Sequence, residues 1–232
     1  MRASVAAILA HGLAAWLVVW WPVAGRWRSR RLAQRGGSKR WSRSIRRKWA
    51  ATAALVPLAL LADVSLPDCG IRAPTEWVST LVLALGVFAG GAFIAVRVRL
   101  PRQRARLRRV IEPFVQLVPD RTERSRFVWL AVTAGLTEEL LYRSFGLSYV
   151  HWLAPDLTTD AAVLLTAAAF GLAHLYQGWK NVLLTGLLGC MFGFLTVDTR
   201  SVFPAIVIHT LIDLRILLLT PLVDEPVARV AR

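Results

Sequence analysis

Seven apolar segments follow one another along this chain, separated by polar loops. A helix needs about 20 residues to cross the hydrocarbon core of a bilayer, and each segment is that long or nearly so. Hydrophobic residues make up 56% of the 232 residues, which is too apolar for an ordinary soluble domain. We therefore predict an all-α, multi-spanning membrane protein with about seven transmembrane helices. The predicted spans lie near 3–24, 49–66, 77–97, 127–148, 161–177, 180–197 and 202–220.

Positive charge is concentrated in two loops of the predicted protein. The net charge is +15, and the Lys and Arg residues cluster in Arg26–Lys48 and Arg97–Arg126. Both blocks flank apolar spans, as cytoplasmic loops do under the positive-inside rule. We therefore expect the lipid bilayer, and no nucleic acid, as a partner. The first span precedes eleven basic residues within Arg26–Lys48, so we expect an uncleaved anchor with its N-terminus outside.

The remaining loops fit the same orientation. Residues 67–76, 151–160 and 198–201 are predicted to lie outside, and 176–180 and the C-terminal tail in the cytoplasm. Residues 104–118 combine arginines with apolar side chains, and are predicted either as an interfacial amphipathic helix or as a solvated basic loop. Cys69 falls in an outer loop and Cys190 inside a span, which excludes a disulfide framework. A composition rich in Arg, Ala and Trp is typical of a GC-rich bacterial genome, so we expect the bacterial inner membrane.

Several charged or titratable residues fall inside the last four spans. A charge at mid-membrane costs roughly 2.5–3.5 kcal/mol, so such residues are functional candidates by default. The first three spans contain only His11 and Asp63, near their ends, which counts against a transport path. The candidates are Glu138, Glu139 and Arg143 in the fourth span, His174 in the fifth, and His209 and Asp213 in the seventh.

Helical spacing predicts which of these groups pair. Glu139 and Arg143 are four residues apart and share a helix face, so we expect a structural ion pair. Glu138 lies about 140° around the helix from Arg143, which leaves its carboxylate available. One turn also separates His209 from Asp213, and such a carboxylate can hold the orientation and tautomer of an imidazole. Counted along the helices, the set lies in the cytoplasmic half of the bilayer.

One glutamate and two histidines can carry out hydrolysis in two ways. Glu138, His174 and His209 could bind Zn²⁺ and lower the pKa of its water. Alternatively, Glu138 and one histidine could deprotonate a water directly while the second histidine stabilises the oxyanion. The residue types and their spacing fit both routes, so the cofactor is either zinc or none.

Three short motifs resemble those of a known family. EELLYR (138–143) has the pattern EExxxR, FGLAH (170–174) the pattern FxxxH, and HTLID (209–213) the pattern HxxxN/D. Their order and spacing resemble the CAAX prenyl endopeptidase and bacteriocin-processing (CPBP) family of intramembrane proteases. The resemblance covers about residues 127–220.

The resemblance implies an all-helical core whose motif helices surround a catalytic cavity. Glu138 would then be the general base that activates water, and His174 and His209 would complete the water or oxyanion site. It further implies that Asp213 supports His209 and that Glu139 and Arg143 form a supporting pair. The family is described both as metal-dependent and as a glutamate-type protease, so the cofactor stays open here too. A membrane-associated protein or peptide is the implied substrate.

These observations predict three regions and rank three functions. We expect an N-terminal membrane region with three spans (1–126), a catalytic core (127–220) and a cytoplasmic tail (221–232). The leading hypothesis is an intramembrane endopeptidase. The second is a non-catalytic scaffold or peptide-immunity protein that uses the same cavity for binding, and the third is a proton- or metal-coupled transporter.

Overall fold

Every regular element in the described part of the chain is helical. The computed structural model describes residues 2–25, 38–111 and 118–224. The predicted all-α fold is therefore confirmed. The α-helices are α1 (Arg2–Ala15), α2 (Ser38–Ala53), α3 (Leu55–Ala62), α4 (Val78–Arg99), α5 (Pro101–Ile111), α6 (Arg124–Glu139), α7 (Leu147–Leu153), α8 (Thr159–Ala173), α9 (Trp179–Thr199), α10 (Phe203–Leu214) and α11 (Thr220–Asp224).

Among the described residues, four helical stretches are long and apolar enough to cross a membrane. They are Ala3–Gly25, Val78–Arg99, Trp179–Thr199 and Phe203–Val223, and the shorter apolar helix Thr159–Ala173 joins them. Along α4, large apolar side chains such as Leu85 and Phe88 are exposed, which is the surface that a lipid environment requires. The chain is an integral membrane protein, as predicted, although four long spans are fewer than the seven expected.

The second predicted span, 49–66, is a broken helix. Ala54 interrupts it between α2 and α3, three residues before Pro57. Proline has no N–H to donate and its ring clashes with the carbonyl one turn back, so a break at this point is expected. The segment then ends at Asp63, whose left-handed conformation (φ 53°) stops the helix.

The fourth predicted span is one continuous helical rod. α6 passes into a π-helical turn at Leu140–Gly146, which continues into α7. This rod carries Glu138, Glu139 and Arg143, and π-helical turns within α-helices are frequent at functional sites.

Helix packing places this rod at the centre of the protein. α2 and α10 pack against α6, and α8 and α9 form an antiparallel pair beside it. Gly135 allows the close approach of α6 to α10, since a Cβ there would collide with the Thr210 hydroxyl and lie 3.0 Å from the Ile206 carbonyl oxygen. Small residues at helix contacts are typical of membrane proteins. The glutamates that follow Gly135 are thereby carried against α10.

Two sets of contacts join segments that the sequence assigns to the same side of the membrane, whereas the orientation itself stays a prediction. Two predicted outer loops hydrogen-bond to each other, through Thr75 N to Thr199 O at 2.9 Å and Val202 N to Gly70 O at 2.9 Å. At the opposite end Arg104, in a predicted inner loop, donates to the Pro221 carbonyl at 2.7 Å. Cys69 and Cys190 are both free thiols. Of the segment 104–118, the first part is helical in α5, whereas residues 112–117 and the tail from 225 lie outside the described residues.

Candidate active site

Three core elements bring the predicted site residues together. Glu138 and Glu139 end α6, and Arg143 lies in the π-helical turn that follows. His174 caps the C-terminus of α8, while His209 and Asp213 are one turn apart on α10. All six candidates therefore surround one small volume.

Glu139 links the ion pair to one of the histidines. Its carboxylate lies 3.2 Å from Arg143 Nε, and both side chains are fully buried. The same carboxylate accepts a 2.6 Å hydrogen bond from Nδ1 of His209 on the neighbouring helix. The predicted Glu139–Arg143 pair is thus present, and it has a second function in fixing the ring of His209.

Arg143 is held on every side. Its Nη2 donates to the Gly189 carbonyl at 2.9 Å, and its guanidinium carbon lies 4.5 Å from the Phe170 ring centroid and 5.4 Å from that of Phe192. Carboxylate, carbonyl and aromatic faces are the partners that a planar guanidinium prefers. These contacts compensate for burying the charge.

Glu138 points the other way, and its two oxygens have different neighbours. Oε1 accepts a hydrogen bond from the ammonium group of Lys48 on α2. Oε2 lies 3.8 Å from Nε2 of His209 and 4.0 Å from Nε2 of His174. The sequence predicted an unpaired Glu138, and the structure corrects this, because Lys48 comes from a helix that carries none of the motifs.

The hydrogen bonds of the two histidines define their tautomers. Nδ1 of His174 lies 2.9 Å from the Phe170 carbonyl oxygen, which can only accept, so this nitrogen carries the proton. Nδ1 of His209 likewise faces the acceptor Glu139. In the neutral rings both Nε2 atoms are therefore acceptors, and both face Oε2 of Glu138. Three converging acceptors favour a water molecule, which can donate its two hydrogens to two of them at a time.

Asp213 lies beside His209, as the motif resemblance implied, but on the Nε2 side of the ring. Its Oδ2 lies 3.8 Å from Nε2 of His209, while Glu139 occupies the Nδ1 side of that ring. The ring reaches across to α6 instead of one turn along its own helix. Asp213 is therefore on the same side of His209 as Glu138, and its side chain is 30% exposed.

A cavity of about 10 Å³ lies beside Glu138, with room for about one water molecule. Both regions of the chain form its wall, so a bound peptide would require part of this wall to move. The lining residues are Trp16, Leu17, Trp21 and Lys48 from the N-terminal region, and Glu138, Leu141, Tyr142, Ala173 and His174 from the core.

The residues as placed do not fit a metal ion. Zinc holds its nitrogen and oxygen ligands at about 2.0–2.2 Å, which places two tetrahedral ligands roughly 3.3 Å apart. The distances of 3.8 and 4.0 Å from Glu138 to the histidines are longer, and Lys48 holds the other oxygen of Glu138. Within residues 2–25, 38–111 and 118–224, no group of three or more His, Cys, Asp or Glu is arranged to hold a metal.

Two residues of the site were not found from the sequence. Lys48 is the last residue of a basic block that the sequence explained as a topology signal. Phe192 stacks on His209, with centroids 4.9 Å apart and planes 11° from parallel, but a phenylalanine in an apolar span carries no signal. No spacing rule connects Lys48 to Glu138, which is 90 residues away.

Comparison with known proteins identifies the family of the core. The protein family described as Type II CAAX prenyl endopeptidase Rce1-like matches residues 121–215. This match confirms the recognition made from the three motifs, and over residues 121–215 the chain is similar to the CAAX-type intramembrane proteases. No curated protein and no solved structure matches the chain. Lys48 lies outside the matched residues.

Proposed function

From the match of residues 121–215 to the type II CAAX prenyl endopeptidases, we propose that Glu138 activates water to hydrolyse a peptide bond in a membrane-associated protein or peptide. One observation carries this proposal. Nε2 of His209 and Nε2 of His174 lie 3.8 and 4.0 Å from Oε2 of Glu138, beside a cavity of one-water size.

The proposed reaction begins with a water that donates one hydrogen to Oε2 of Glu138 and the other to Nε2 of His174. Glu138 takes a proton at Oε2, and the oxygen of the water forms a bond to the carbonyl carbon of the substrate. When the tetrahedral intermediate collapses, the C–N bond breaks and the proton passes from Glu138 to the leaving nitrogen. The other histidine takes no part in holding the water; it enters the reaction with a proton on Nε2, donates from there to the oxyanion, and keeps that proton when the intermediate collapses. We assign this role to His209, since Glu139 accepts from its Nδ1 and fixes the ring with Nε2 facing Oε2 of Glu138.

The remaining site residues position the catalytic groups or face the substrate. Arg143 fixes Glu139, and Glu139 fixes His209. We assign Asp213 to the substrate side of His209, because it is partly exposed and faces Nε2. The proposed steps use no metal ion. We further propose the bacterial inner membrane, an outer N-terminus and a cytoplasmic C-terminus, with the site in the cytoplasmic half.

The test compares cells that carry wild-type protein, Glu138→Gln, or the control Asp156→Asn. Asp156 is an exposed residue of the loop between α7 and α8. Mass spectrometry of membrane and secreted peptides is expected to show a precursor that accumulates uncleaved only with Glu138→Gln. Equal amounts of membrane-inserted protein must be verified for each variant.

An identical peptide profile for all three would overturn proteolysis by this site. A scaffold or peptide-immunity protein would then be the better explanation, provided that Glu138→Gln also preserved the function of the protein in cells. Under that alternative, changes at the cavity wall would abolish function while Glu138→Gln would not.

A further inference from the structure

Lys48 is a buried cation at the site that the family match does not include. Its side chain and that of Glu138 are each 11% exposed. The preceding residues on α2, Arg46 and Arg47, are both exposed. A lysine that served only as a topology signal would be solvated in the same way as these neighbours. The burial of Lys48 beside a carboxylate therefore needs a separate explanation.

The surroundings of Lys48 fix its ammonium group. α2 packs along α6, which carries Glu138. Nζ of Lys48 lies 5.8 Å from the ring centroid of Trp21. Thr52 lies one turn further along α2, and its hydroxyl donates to the Lys48 carbonyl at 3.0 Å. The N-terminal region thus holds one positive charge against the core.

Because of the ion pair, the two oxygens of Glu138 have different partners. Oε1 is occupied by the ammonium group, so only Oε2 faces the two histidines. A charge-assisted hydrogen bond is short and directional, and it limits rotation of the carboxylate. Without its partner, Glu138 would be a buried carboxylate with no counter-charge on α2, which is unfavourable.

We propose that Lys48 is a positioning residue of the hydrolytic site: its ammonium group holds Oε1 of Glu138 and thereby aims Oε2 at the water between His174 and His209. This inference rests on the proposed function and extends it. The site of this protein is completed by α2, outside residues 121–215. The positive charge next to the general base comes from this side chain.

The kinetic test uses the precursor that accumulates with Glu138→Gln as the substrate of purified protein in lipid nanodiscs. Lys48→Met keeps the length of the side chain and removes the charge, and the matched control is Arg47→Met on the same helix. We expect Lys48→Met to lower kcat by about 100-fold with little change in KM, since misplacing a catalytic group has an effect of this size. Lys48→Arg is expected to recover at least part of the loss, and Arg47→Met to cleave normally.

Thermal unfolding tests the ion pair without any substrate. We expect Lys48→Met and Glu138→Gln each to lower Tm by several degrees, because each leaves one buried partner alone. The decrease in Tm of the double variant should be smaller than the sum of the decreases in the two single variants. The difference measures the coupling between Lys48 and Glu138. Additive losses in Tm would overturn the inference, even if Lys48→Met proved too unstable for kinetics.

The failures of the two proposals are distinguishable. Normal cleavage by Lys48→Met, with Glu138→Gln inactive, would overturn the role of Lys48 and leave the protease intact. Normal cleavage by both variants would overturn the proposed function itself. If Lys48→Met lost activity and Lys48→Arg recovered none of it, the role given to the positive charge would be overturned in favour of a role for the shape of the lysine side chain.

Discussion

The core helices α6–α10 and the N-terminal helices α1–α4 are stabilised in different ways. In the core, buried charges have several partners each, and glycines allow helices to come close, as at Gly135. In the N-terminal region, α4 presents apolar side chains outward. A Cβ added at Gly86 on this helix would have no atom of another element within 4 Å. The core therefore depends on specific contacts, whereas α4 depends mainly on a lipid surface. Lys48, on α2, is a specific contact of the N-terminal region with the site itself.

The largest effect is expected at Arg143. Arg143→Met leaves the buried Glu139 without its counter-charge and also frees His209, so we expect a loss of about 3–5 kcal/mol in the free energy of unfolding. Unfolding in detergent or lipid measures this loss. Arg46→Met, on the exposed face of α2, is the control and should be nearly neutral. Comparable losses in both variants would contradict the role given to the core contacts.

Two phenylalanines compare the regions directly. Phe192 is 1% exposed in the core and stacks on His209, whereas Phe88 is 63% exposed on α4. We expect Phe192→Ala to lower the free energy of unfolding by about 3 kcal/mol or more. Phe88→Ala should change it by about 0.5 kcal/mol or less. The same unfolding measurement tests both, and a large effect of Phe88→Ala would show that α4 makes contacts as specific as those of the core.

Two glycines sharpen the comparison further. Gly135→Ala would force α6 away from α10, and we expect a loss of about 1–3 kcal/mol together with reduced cleavage, since Glu138 and Glu139 would move away from His209. Gly86→Ala meets no atom within 4 Å, so it should be neutral or slightly stabilising, as alanine favours the helix. Thermal unfolding of both variants checks this, and equal destabilisation would contradict the close contact at Gly135.

The smallest effect is expected at Asp120, in the loop before α6. Its pKa is held below the usual value mainly by the Thr122 hydroxyl, with further hydrogen bonds from the backbone of Thr122 and Glu123. A lowered pKa stabilises the folded state above the unfolded value near 3.9, and this contribution is lost as the pH falls through the folded pKa. Because Asp120 is only partly buried, we expect Asp120→Asn to cost about 0.5 kcal/mol or less at pH 7. A loss as large as that of Gly135→Ala would be inconsistent with this.

The sequence predicted the features that follow from helical periodicity. Four-residue spacing was sufficient to predict the Glu139–Arg143 pair. Apolar length was sufficient to predict an integral membrane protein, but not the number of long spans. Three motifs were sufficient for the family. The contact of His209 with Glu139 instead of Asp213 depends on how close α6 and α10 lie, and Gly135 sets that distance without any motif. The division into regions at residue 126 stays a prediction.

Lys48 shows most clearly what could not be predicted. Its charge is one of eleven in a basic block, and the sequence offers no reason to separate it from the others. Only the packing of α2 on α6 shows that Lys48, among these basic residues, contacts Glu138. Likewise, a proline favours a helix break such as the one before Pro57, but the helix orientation that this break produces is a tertiary property.

The most direct test of the proposed hydrolysis repeats the cleavage of the precursor in water enriched in heavy oxygen, with wild-type protein and Glu138→Gln. If Glu138 activates the water, wild-type protein will place one heavy oxygen atom in the new carboxyl group of the product, and Glu138→Gln will form almost no product. Mass spectrometry of the new C-terminal fragment ends reads out both results. Labelled product at the same rate from Glu138→Gln would contradict the central role of this carboxylate.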